Sequence, residues 1–340
     1  MRVTLKDIAE EAGVSLMTVS NVVNGKKARV SEATRERILE IVRQRGYVPS
    51  ASARSLAAKS SRLIGLLVPA EGGGALTISP HTVEVIGTLE RELRRHDYHL
   101  MLRGIAKTAE INEALRSWNL DGAVLLGFQD QVIDRLTSRT VGNVAIVAMD
   151  SYSENRLTLG VRSDDFTGAL LATRHLISLG HTRIAFAGPG FSETGVVRQR
   201  FEGYREALRE AAIPWDESLL HTVETTHESG REFGRRLAAE PSGVTAIVAT
   251  ADILAIGAIE GLGEAGLAVP ADVSVVGYDD TEIARYVTPK LTTVAQNLPA
   301  KASVTVRLLL DHLLRGETPA EATTLEVTLI ERSTTAPPAN

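Results

Sequence analysis

The chain of 340 residues contains no cysteine, only 4% aromatic residues and no long apolar run. The absence of cysteine excludes disulfides, thiolate metal sites and a cysteine nucleophile, and it is compatible with a reducing cytoplasm. No apolar run approaches the length of a membrane-spanning helix. Asp7, Glu10 and Glu11 interrupt the N-terminal segment where a signal peptide needs a continuous apolar stretch. We therefore expect a cytoplasmic protein that is neither exported nor inserted into a membrane.

Positive charge is concentrated at one end of the chain. The formal net charge is −5, yet residues 1–62 contain 12 Lys and Arg against 6 Asp and Glu, whereas the remainder contains 25 against 36. This asymmetry indicates a basic head of the kind that contacts phosphate and an acidic body that does not. The length and the 44% hydrophobic content predict two or three globular units.

Residues 4–24 have the pattern of two short helices. Apolar residues recur at helical spacing from Leu5 to Ala12, Gly13 is placed to end that helix, and Ser15 is placed to cap a second one. Valines form the buried stripe of the second helix. Two short helices joined by a glycine-containing turn form a helix-turn-helix, whose second helix enters the DNA major groove. The alternative is an ordinary helical hairpin in a larger core.

A third helix and a linker follow the first two helices. Ser31 is placed to cap a helix that runs to about Arg45, which completes a small three-helix bundle. Residues 50–58 are small and could form a helix of about nine residues, which is too short to be stable alone in water. The alternative for this segment is a flexible linker.

The rest of the chain alternates short apolar runs with amphipathic stretches, a pattern typical of parallel sheets covered on both faces. Pro-rich residues 333–340 are expected to be an unstructured tail. The predicted strands cover residues 63–68, 99–102, 123–126, 144–148, 184–187, 246–249 and 273–276. The predicted helices between them include residues 80–95, 167–179, 197–212, 229–239 and 253–266.

Five sequence blocks, in order and at consistent spacing, carry a family resemblance. They are Val3–Asn24, Tyr47-Val48-Pro49, Ala172-Thr173-Arg174-His175-Leu176, the block 269–280 and Leu291-Thr292-Thr293-Val294. Together they resemble the LacI/GalR family of bacterial transcriptional regulators over almost the whole chain.

The resemblance implies a small all-α helix-turn-helix head and an α/β core of two doubly wound parallel-sheet subdomains, similar to periplasmic binding proteins. It also implies a homodimer, and the C-terminal segment lacks the leucine heptads through which some members tetramerise. The implied domains are a DNA-binding domain 1–48, a hinge 49–60 and a core 61–340. Within the core, the N-subdomain would contain about 61–160 plus 293–323, and the C-subdomain about 161–292 plus 324–340.

The resemblance also assigns roles in DNA binding. Leu16, Met17 and Asn21 fall at base-reading positions, and Leu56 falls where a hinge leucine wedges into the minor groove. For Leu16, closing the small core is the alternative. The positions that grip phosphate are Thr4, Thr18, Ser20, Asn24, Arg29, Ser31 and Tyr47. Among these, Thr4 and Ser31 are also plausible helix caps, and Arg29 could instead be a solvated surface charge.

Sugar-binding relatives place polar side chains in the cleft at positions that fall on Asp150, Arg200 and Asp279. An arginine fork and carboxylate acceptors suit a polyol or a sugar. Each has an alternative, since Arg200 could pair with a surface acid and Asp279 lies in a turn. Two departures from the family pattern, Ala251 in place of a polar residue and a glycine-rich insertion around 71–78, leave open a ligand other than a common hexose.

No motif in the chain indicates an enzyme. The chain has no Gly-x-Ser-x-Gly or His-Glu-x-x-His motif, and its eight histidines lack ligand spacing, so no catalytic residue, metal or cofactor is expected.

We expect a sequence-specific transcriptional repressor that binds a palindromic DNA operator and is controlled by a small-molecule effector, expected to be a carbohydrate. The alternatives are a regulator that responds to a non-sugar ligand or a protein corepressor and, more remotely, a sugar-binding protein.

Overall fold

The structure is a computed structural model that describes residues 3–23, 30–48, 60–70, 78–142, 144–240, 242–316 and 321–339. The chain divides into two compact units, a head of residues 1–62 and a core of residues 63–340. The predicted hinge helix lies outside the described residues. The same holds for three predicted DNA-contact residues, namely Asn24, Arg29 and Leu56.

The described part of the head consists of α1 (Leu5–Ala12), α2 (Leu16–Val23) and α3 (Glu32–Gln44). Gly13 ends α1 with a φ of +60°, a left-handed conformation that glycine adopts without strain. The predicted helix-turn-helix is therefore confirmed, and the third helix ends one residue before the predicted Arg45.

Polar side chains start the helices of the head as the sequence indicates. Thr4 and Asp7 form a reciprocal capping box at α1. Ser15 Oγ and Ser31 Oγ each accept a hydrogen bond from the backbone N–H three residues later, at 3.1 and 3.3 Å.

The small core of the head depends on a few fully buried apolar side chains. Ile8 of α1, Val19 of α2 and Ile38 of α3 are all 0% exposed and pack together. Burial of a side chain of this size contributes about 1.5–3 kcal/mol, so this cluster holds α2 in place and leaves its opposite face open.

The larger unit alternates strands and helices, with short 3₁₀ helices at Glu217–Leu219 and Glu282–Arg285. Its elements are, in chain order, β1 (Leu63–Pro69), α4 (Pro80–Arg95), β2 (His99–Ile105), α5 (Thr108–Ser117), β3 (Gly122–Leu126), α6 (Asp130–Asp134), α7 (Ser138–Val141), β4 (Ala145–Met149), β5 (Leu159–Ser163), α8 (Asp165–Ser178), β6 (Ile184–Gly188), α9 (Val196–Glu210), β7 (Leu220–Thr222), α10 (His227–Ala239), β8 (Ala246–Ala249), α11 (Asp252–Glu264), β9 (Ser274–Asp279), β10 (Thr292–Gln296), α12 (Leu298–Arg315), β11 (Thr323–Leu325) and β12 (Val327–Ile330).

Two six-stranded sheets divide the core into two lobes. The first sheet has the order β11-β5-β4-β3-β1-β2 and is parallel throughout. The second has the order β12-β10-β9-β8-β6-β7, and its edge strand β12 runs antiparallel to β10. Apolar clusters cover both faces of each sheet, and the central strands β3, β4, β6, β8 and β9 are buried along their whole length. This is the doubly wound α/β architecture that the alternation predicts.

The chain passes between the lobes three times, at positions slightly later than predicted. It leaves the first sheet after Ser163, returns after Gln296 and leaves again after Leu325. The predicted boundaries 160/161, 292/293 and 323/324 each fall inside a strand, namely β5, β10 and β11. The largest correction is that β10 belongs to the second lobe, because it pairs with β9 and β12.

The C-terminal residues 333–339 were expected to be unstructured, and this expectation is wrong. Thr334 is 0% exposed, its hydroxyl donates to Val275 O at 2.6 Å, and the same oxygen accepts from Thr292 N–H at 2.9 Å. His181 hydrogen-bonds Ala336 O at 2.9 Å. Prolines exclude this segment from a regular ladder, but they do not prevent anchoring by single bonds.

The strands and helices predicted for the core are all present, whereas β5, β7 and β10–β12 were not predicted. The strands β7 and β11 are only three residues long, and β10 starts with two buried threonines. None of these three strands therefore shows a clear apolar run in the sequence. None of the described helices is long and apolar enough to cross a membrane.

We predict that Thr334→Val destabilises the core by about 1–3 kcal/mol, because it leaves the buried Thr292 N–H without an acceptor. Urea denaturation at neutral pH measures this change. Thr328→Val, on an exposed position of β12, is the matched control and should change stability by less than about 0.5 kcal/mol. Equal effects of the two substitutions would contradict an anchoring role for Thr334.

Candidate functional site

The second helix of the head presents two of the predicted base-reading residues to the surface. Leu16 is 51% exposed and Met17 is 67% exposed, whereas Val19 and Val22 on the other side are buried. Leu16 therefore does not close the small core, which was the alternative for this residue. Asn21 is half-buried on the same helix. The structure thus provides an exposed face on α2, and the base contacts themselves stay a prediction.

The predicted phosphate-contact residues that are described have structural roles as well. Thr4 and Ser31 cap α1 and α3. Thr18 Oγ1 lies 2.9 Å from the capping Ser15 Oγ. Ser20 and Tyr47 are half-buried, and Tyr47 packs against the core of the head. A cap residue at a helix N-terminus lies beside free backbone N–H groups, so capping and phosphate binding are compatible.

A cavity of about 420 Å³ lies at the carboxyl ends of the strands of both sheets in the core. All three predicted effector residues, Asp150, Arg200 and Asp279, line it. Asp150 directly follows β4, Asp279 is the last residue of β9, and Arg200 lies in the second turn of α9. Ligands of open α/β sheets bind at this end of the strands, so the cavity has the position of a ligand site.

Arg200 is only 7% exposed and is held from three sides. Its Nε donates to Asp165 Oδ1 at 2.9 Å, its Nη1 donates to Thr250 O at 2.5 Å, and its guanidinium lies 3.5 Å from the centre of the Tyr278 ring. Burial alone would lower the pKa of Arg200, but the Asp165 carboxylate raises it, so the side chain stays charged. The alternative role predicted for Arg200 was an ion pair with a surface acid. Arg200 does pair with an acid, Asp165, but this acid is buried rather than on the surface.

The Tyr278 ring depends on a glycine beneath it. A Cβ at Gly168 would lie 2.2 Å from Tyr278 Oη, so only glycine at this position of α8 leaves room for the ring. Burial raises the pKa of the partner acid Asp165, whose second oxygen accepts from Tyr152 Oη at 3.0 Å. Asp165 and the Tyr278 ring therefore fix the position of the Arg200 guanidinium.

Asp150 is paired with a buried lysine that the sequence reasoning did not identify. Lys301 of α12 is 1% exposed, and its Nζ lies 2.6 Å from Asp150 Oδ1 and 2.5 Å from Gln296 Oε1. Burial, the largest single effect, would raise the pKa of Asp150, but Lys301, His81 and Arg200 together outweigh it and lower the pKa below its usual value. Asp150 is therefore ionised at neutral pH.

Gln296 connects the predicted acids of the two lobes. Its Nε2 donates to Asp279 Oδ1 at 2.7 Å, and its Oε1 accepts from Lys301 and from Ser163 Oγ, the latter at 2.7 Å. Asp150 and Asp279 both have positive φ angles, +56° and +118°, which non-glycine residues rarely adopt. The acids are therefore held in fixed positions by their surroundings.

The departure at Ala251 has a direct structural consequence. Ala251 lines the cavity with a methyl group, and the next residue, Asp252, turns away from it. Asp252 is 0% exposed and accepts hydrogen bonds from Thr281 N at 2.8 Å and from Thr293 Oγ1 at 2.5 Å. Burial, followed by the nearby Asp279 charge, raises the pKa of Asp252 well above its usual value. Asp252 is therefore a structural acid of the second lobe.

Several cavity residues escaped the sequence reasoning. Phe128 and Phe191 supply aromatic surface, and Asp130 and Gln296 supply further polar groups. Gln296 lies two residues beyond a block that the resemblance includes, so its position could have been noticed. His81 also lines the cavity, whereas residues 71–77 of the insertion lie outside the described part of the chain.

Comparison with known proteins matches both units. Residues 4–50 match the model of bacterial regulatory proteins of the lacI family, and residues 173–335 match that of a periplasmic binding protein-like domain. The HTH-type transcriptional repressor PurR of Erwinia tasmaniensis is 36% identical over 342 residues, covering 98% of this chain and 97% of that protein. PurR of Haemophilus influenzae is 33% identical over 316 residues, or 91% of each protein.

Solved structures give the same picture. The lac repressor dimer bound to operator and an anti-inducer has a TM-score of 0.84 at 27% identity, over 99% of this chain and 100% of that one. The transcriptional regulator CelR in complex with cellobiose has a TM-score of 0.72 at 29% identity, over 98% and 100%. A LacI family regulator from Enterococcus faecium with bound ribose has a TM-score of 0.70 at 30% identity, over 81% and 99%.

The fold and these matches define a class of protein, a helix-turn-helix DNA-binding domain followed by a two-lobed core similar to periplasmic binding proteins. Within that class, the chain belongs to the lacI family of bacterial regulatory proteins. It is a DNA-binding transcriptional repressor rather than an enzyme.

We predict that Lys301→Met destabilises the core by about 3–5 kcal/mol at pH 7, because it removes a buried ammonium and leaves the mostly buried Asp150 carboxylate without its counter-charge. The loss should shrink as the pH falls through about 4. In the wild type the lowered pKa of Asp150 contributes stability that is present above the pKa of the unfolded chain and is lost on acidification. In the variant, burial favours the protonated acid.

Urea denaturation at pH 7 and pH 4 measures this difference for Lys301→Met. Lys107→Met, at an exposed position, is the matched control and should show a small effect at both pH values. A loss of the same size at pH 4 and pH 7 would mean that packing, rather than charge, makes Lys301 important.

Proposed function

We propose that this repressor binds a palindromic operator as a homodimer and that a small molecule bound between the two lobes of the core controls its operator affinity. The observation that carries the proposal is the cavity itself. It brings an arginine and two carboxylates from both lobes into one cavity, each fixed by buried partners. Sites that are preorganised in this way bind small polar molecules without a large ordering cost.

In the head, we infer that α2 reads the operator in the major groove. Asn21 forms a bidentate contact with adenine, whereas Leu16 and Met17 offer apolar contact, for instance to a thymine methyl group. Thr4, Thr18, Ser20, Asn24, Arg29, Ser31 and Tyr47 contact phosphate or the groove and fix the register of the head. A two-fold symmetric dimer would place two heads on the half-sites of a palindrome.

In the hinge, we infer that Leu56 inserts as an apolar wedge into the minor groove at the centre of the operator. Such a wedge exchanges base unstacking for additional protein contact. A helix as short as residues 50–58 is not stable alone, so its folding would be coupled to DNA binding. The effector would act on the same equilibrium with a coupling free energy of about 1–3 kcal/mol.

For the effector, a carbohydrate is the first candidate. The Arg200 fork and the acceptors of Asp150 and Asp279 match the donors and acceptors of a polyol. Cellobiose and ribose, the ligands of two similar regulators, are of this class. We propose that the protein acts in the cytoplasm. Whether the effector induces or corepresses depends on which arrangement of the two lobes it favours.

A second candidate is a planar heterocycle such as a nucleobase. It is favoured by the aromatic surface of Phe128 and Phe191, which suits stacking, and by the methyl group of Ala251, which replaces a polar contact. A protein corepressor that binds the body remains the alternative if no small molecule binds.

We predict that Asn21→Ala relaxes base preference at one position of each operator half-site and weakens specific binding by about 1–3 kcal/mol. Binding to a library of operator variants at fixed salt measures this change. Glu36→Ala, at an exposed position of α3, is a suitable control for folding of the head. An unchanged preference at every operator position would remove Asn21 from the base-reading set.

Thermal unfolding of the full chain should identify the effector class. The panel contains D-glucose, D-ribose, cellobiose, sugar phosphates, glycerol, adenine and hypoxanthine. A compound present at 100 times its Kd should add about 2.7 kcal/mol of stability to the core. A shift with a sugar supports a carbohydrate effector, a shift confined to nucleobases supports the second candidate, and no shift contradicts both. Arg200→Lys, which loses the planar fork, should abolish any shift.

A further inference from the structure

Asp130 is a buried carboxylate with one oxygen satisfied and the other free of partners. It is 5% exposed and begins α6, directly beyond the end of β3. Its Oδ1 accepts from Ser151 Oγ at 2.7 Å and from Tyr152 N–H at 2.9 Å. Its Oδ2 is buried and has no hydrogen-bond partner in the described part of the chain. Buried polar atoms without partners are rare and call for an explanation.

The free oxygen lies at the boundary between the two lobes, beside the cavity of the proposed effector residues. Asp130 lines that cavity, and a Cβ built on Gly195 of the opposite lobe would lie 3.8 Å from Asp130 Oδ2. The described backbone N–H groups at the start of α9 do not donate to this oxygen. Asp130 Oδ2 therefore lies between the two lobes, beside the first turn of α9.

Arg200 in the cavity lining and the buried Lys301 behind it are already paired with other acids. Arg200 lies 2.8 Å from Asp165, and Lys301 lies 2.6 Å from Asp150. Across the described ranges, no Lys, Arg or His forms an ion pair with Asp130 or Asp279. Asp279 is 8% exposed and accepts from the neutral Gln296 amide. The wall thus carries more buried negative charge than it compensates, and Asp130 is the less satisfied of the two acids.

We propose that Asp130 Oδ2 is a further effector contact and that the effector presents an amino or ammonium group to it. This inference rests on the proposed effector-binding function of the cavity. A nitrogen donor fits better than a hydroxyl, because it completes the hydrogen bonding of Asp130 and, when charged, also supplies the missing positive charge. Asp130 was not among the effector residues predicted from the sequence, which were Asp150, Arg200 and Asp279.

The test compares ligands that differ in this one group. The matched probes are D-glucosamine against D-glucose, D-galactosamine against D-galactose, and adenine against hypoxanthine, each titrated calorimetrically into the full-length protein. The amino member of a pair should bind about 10-fold or more tightly, as expected for a hydrogen bond to a charged group. The Asp130→Asn variant keeps an acceptor for Ser151 and Tyr152 and should erase this preference.

The control is Asp134→Asn, on the same short helix and bonded only to Ser153 Oγ in the described region. This variant should keep the preference of the wild type. Operator binding without any probe should be unchanged in Asp134→Asn, and cooperative urea unfolding of both variants separates a folding defect from a ligand effect.

Three outcomes would overturn the proposal: the hydroxyl or oxo member binds as well as the amino member, the preference survives in Asp130→Asn, or no probe binds the wild type. In the first two, a sugar or nucleobase still binds and changes operator affinity, so the proposed function stands and only the role of Asp130 is wrong. If no probe binds while operator binding is normal, the effector assignment itself is wrong.

Discussion

The ammonium group of Lys301 is the interaction on which the cavity depends. It is buried at the point where the chain returns from the second lobe to the first, and it joins Asp150 of one lobe to Gln296 of the other. A buried ion pair stabilises a fold only when the remaining donors and acceptors are also satisfied. Here Gln296 meets that condition, because it accepts from Lys301 and Ser163 and donates to Asp279. The positions of both predicted acids follow from this one contact.

The same principle separates structural from ligand-facing groups. Asp165 and Asp252 are deeply buried and have both carboxylate oxygens hydrogen-bonded within the protein, so they fix the shape of the cavity. Asp130 is also buried, but its Oδ2 has no hydrogen-bond partner in the described part of the chain. A protein interior tolerates such a group where a ligand completes it, since a permanently unpaired carboxylate would be destabilising without any gain.

Sequence reasoning succeeded where a local pattern carries the information. The valine stripe of α2 and the caps at Thr4, Ser15 and Ser31 predict the head, because helix spacing and capping depend on residues a few positions apart. The effector residues Asp150, Arg200 and Asp279 came from the family resemblance, and the structure brings them to one cavity. Their partners could not be predicted in this way, because Asp165 and Thr250 approach Arg200 only through the fold.

Lys301 did leave a signal in the sequence. It falls on the apolar stripe of α12, three residues after Leu298 and four before the buried Thr305, where a lysine requires a partner. No local rule identifies that partner, because Asp150 lies 151 residues away in the chain. The docked C-terminal segment was missed for the same reason, since its bonds reach Val275 and His181 rather than neighbouring residues.

The location of the polar network explains how a small ligand can act on the whole core. Ser163 ends the last strand before one lobe crossing, Gln296 ends the last strand before another, and a hydrogen bond of 2.7 Å joins them. Asp165 begins the helix that follows the first crossing and holds Arg200. A ligand that draws on Arg200 or Asp279 therefore changes hydrogen bonds made directly at the chain crossings. Relative movement of two lobes requires backbone rotation at such crossings. The bond between Ser163 and Gln296 therefore connects the lining of the cavity directly to two of the chain crossings.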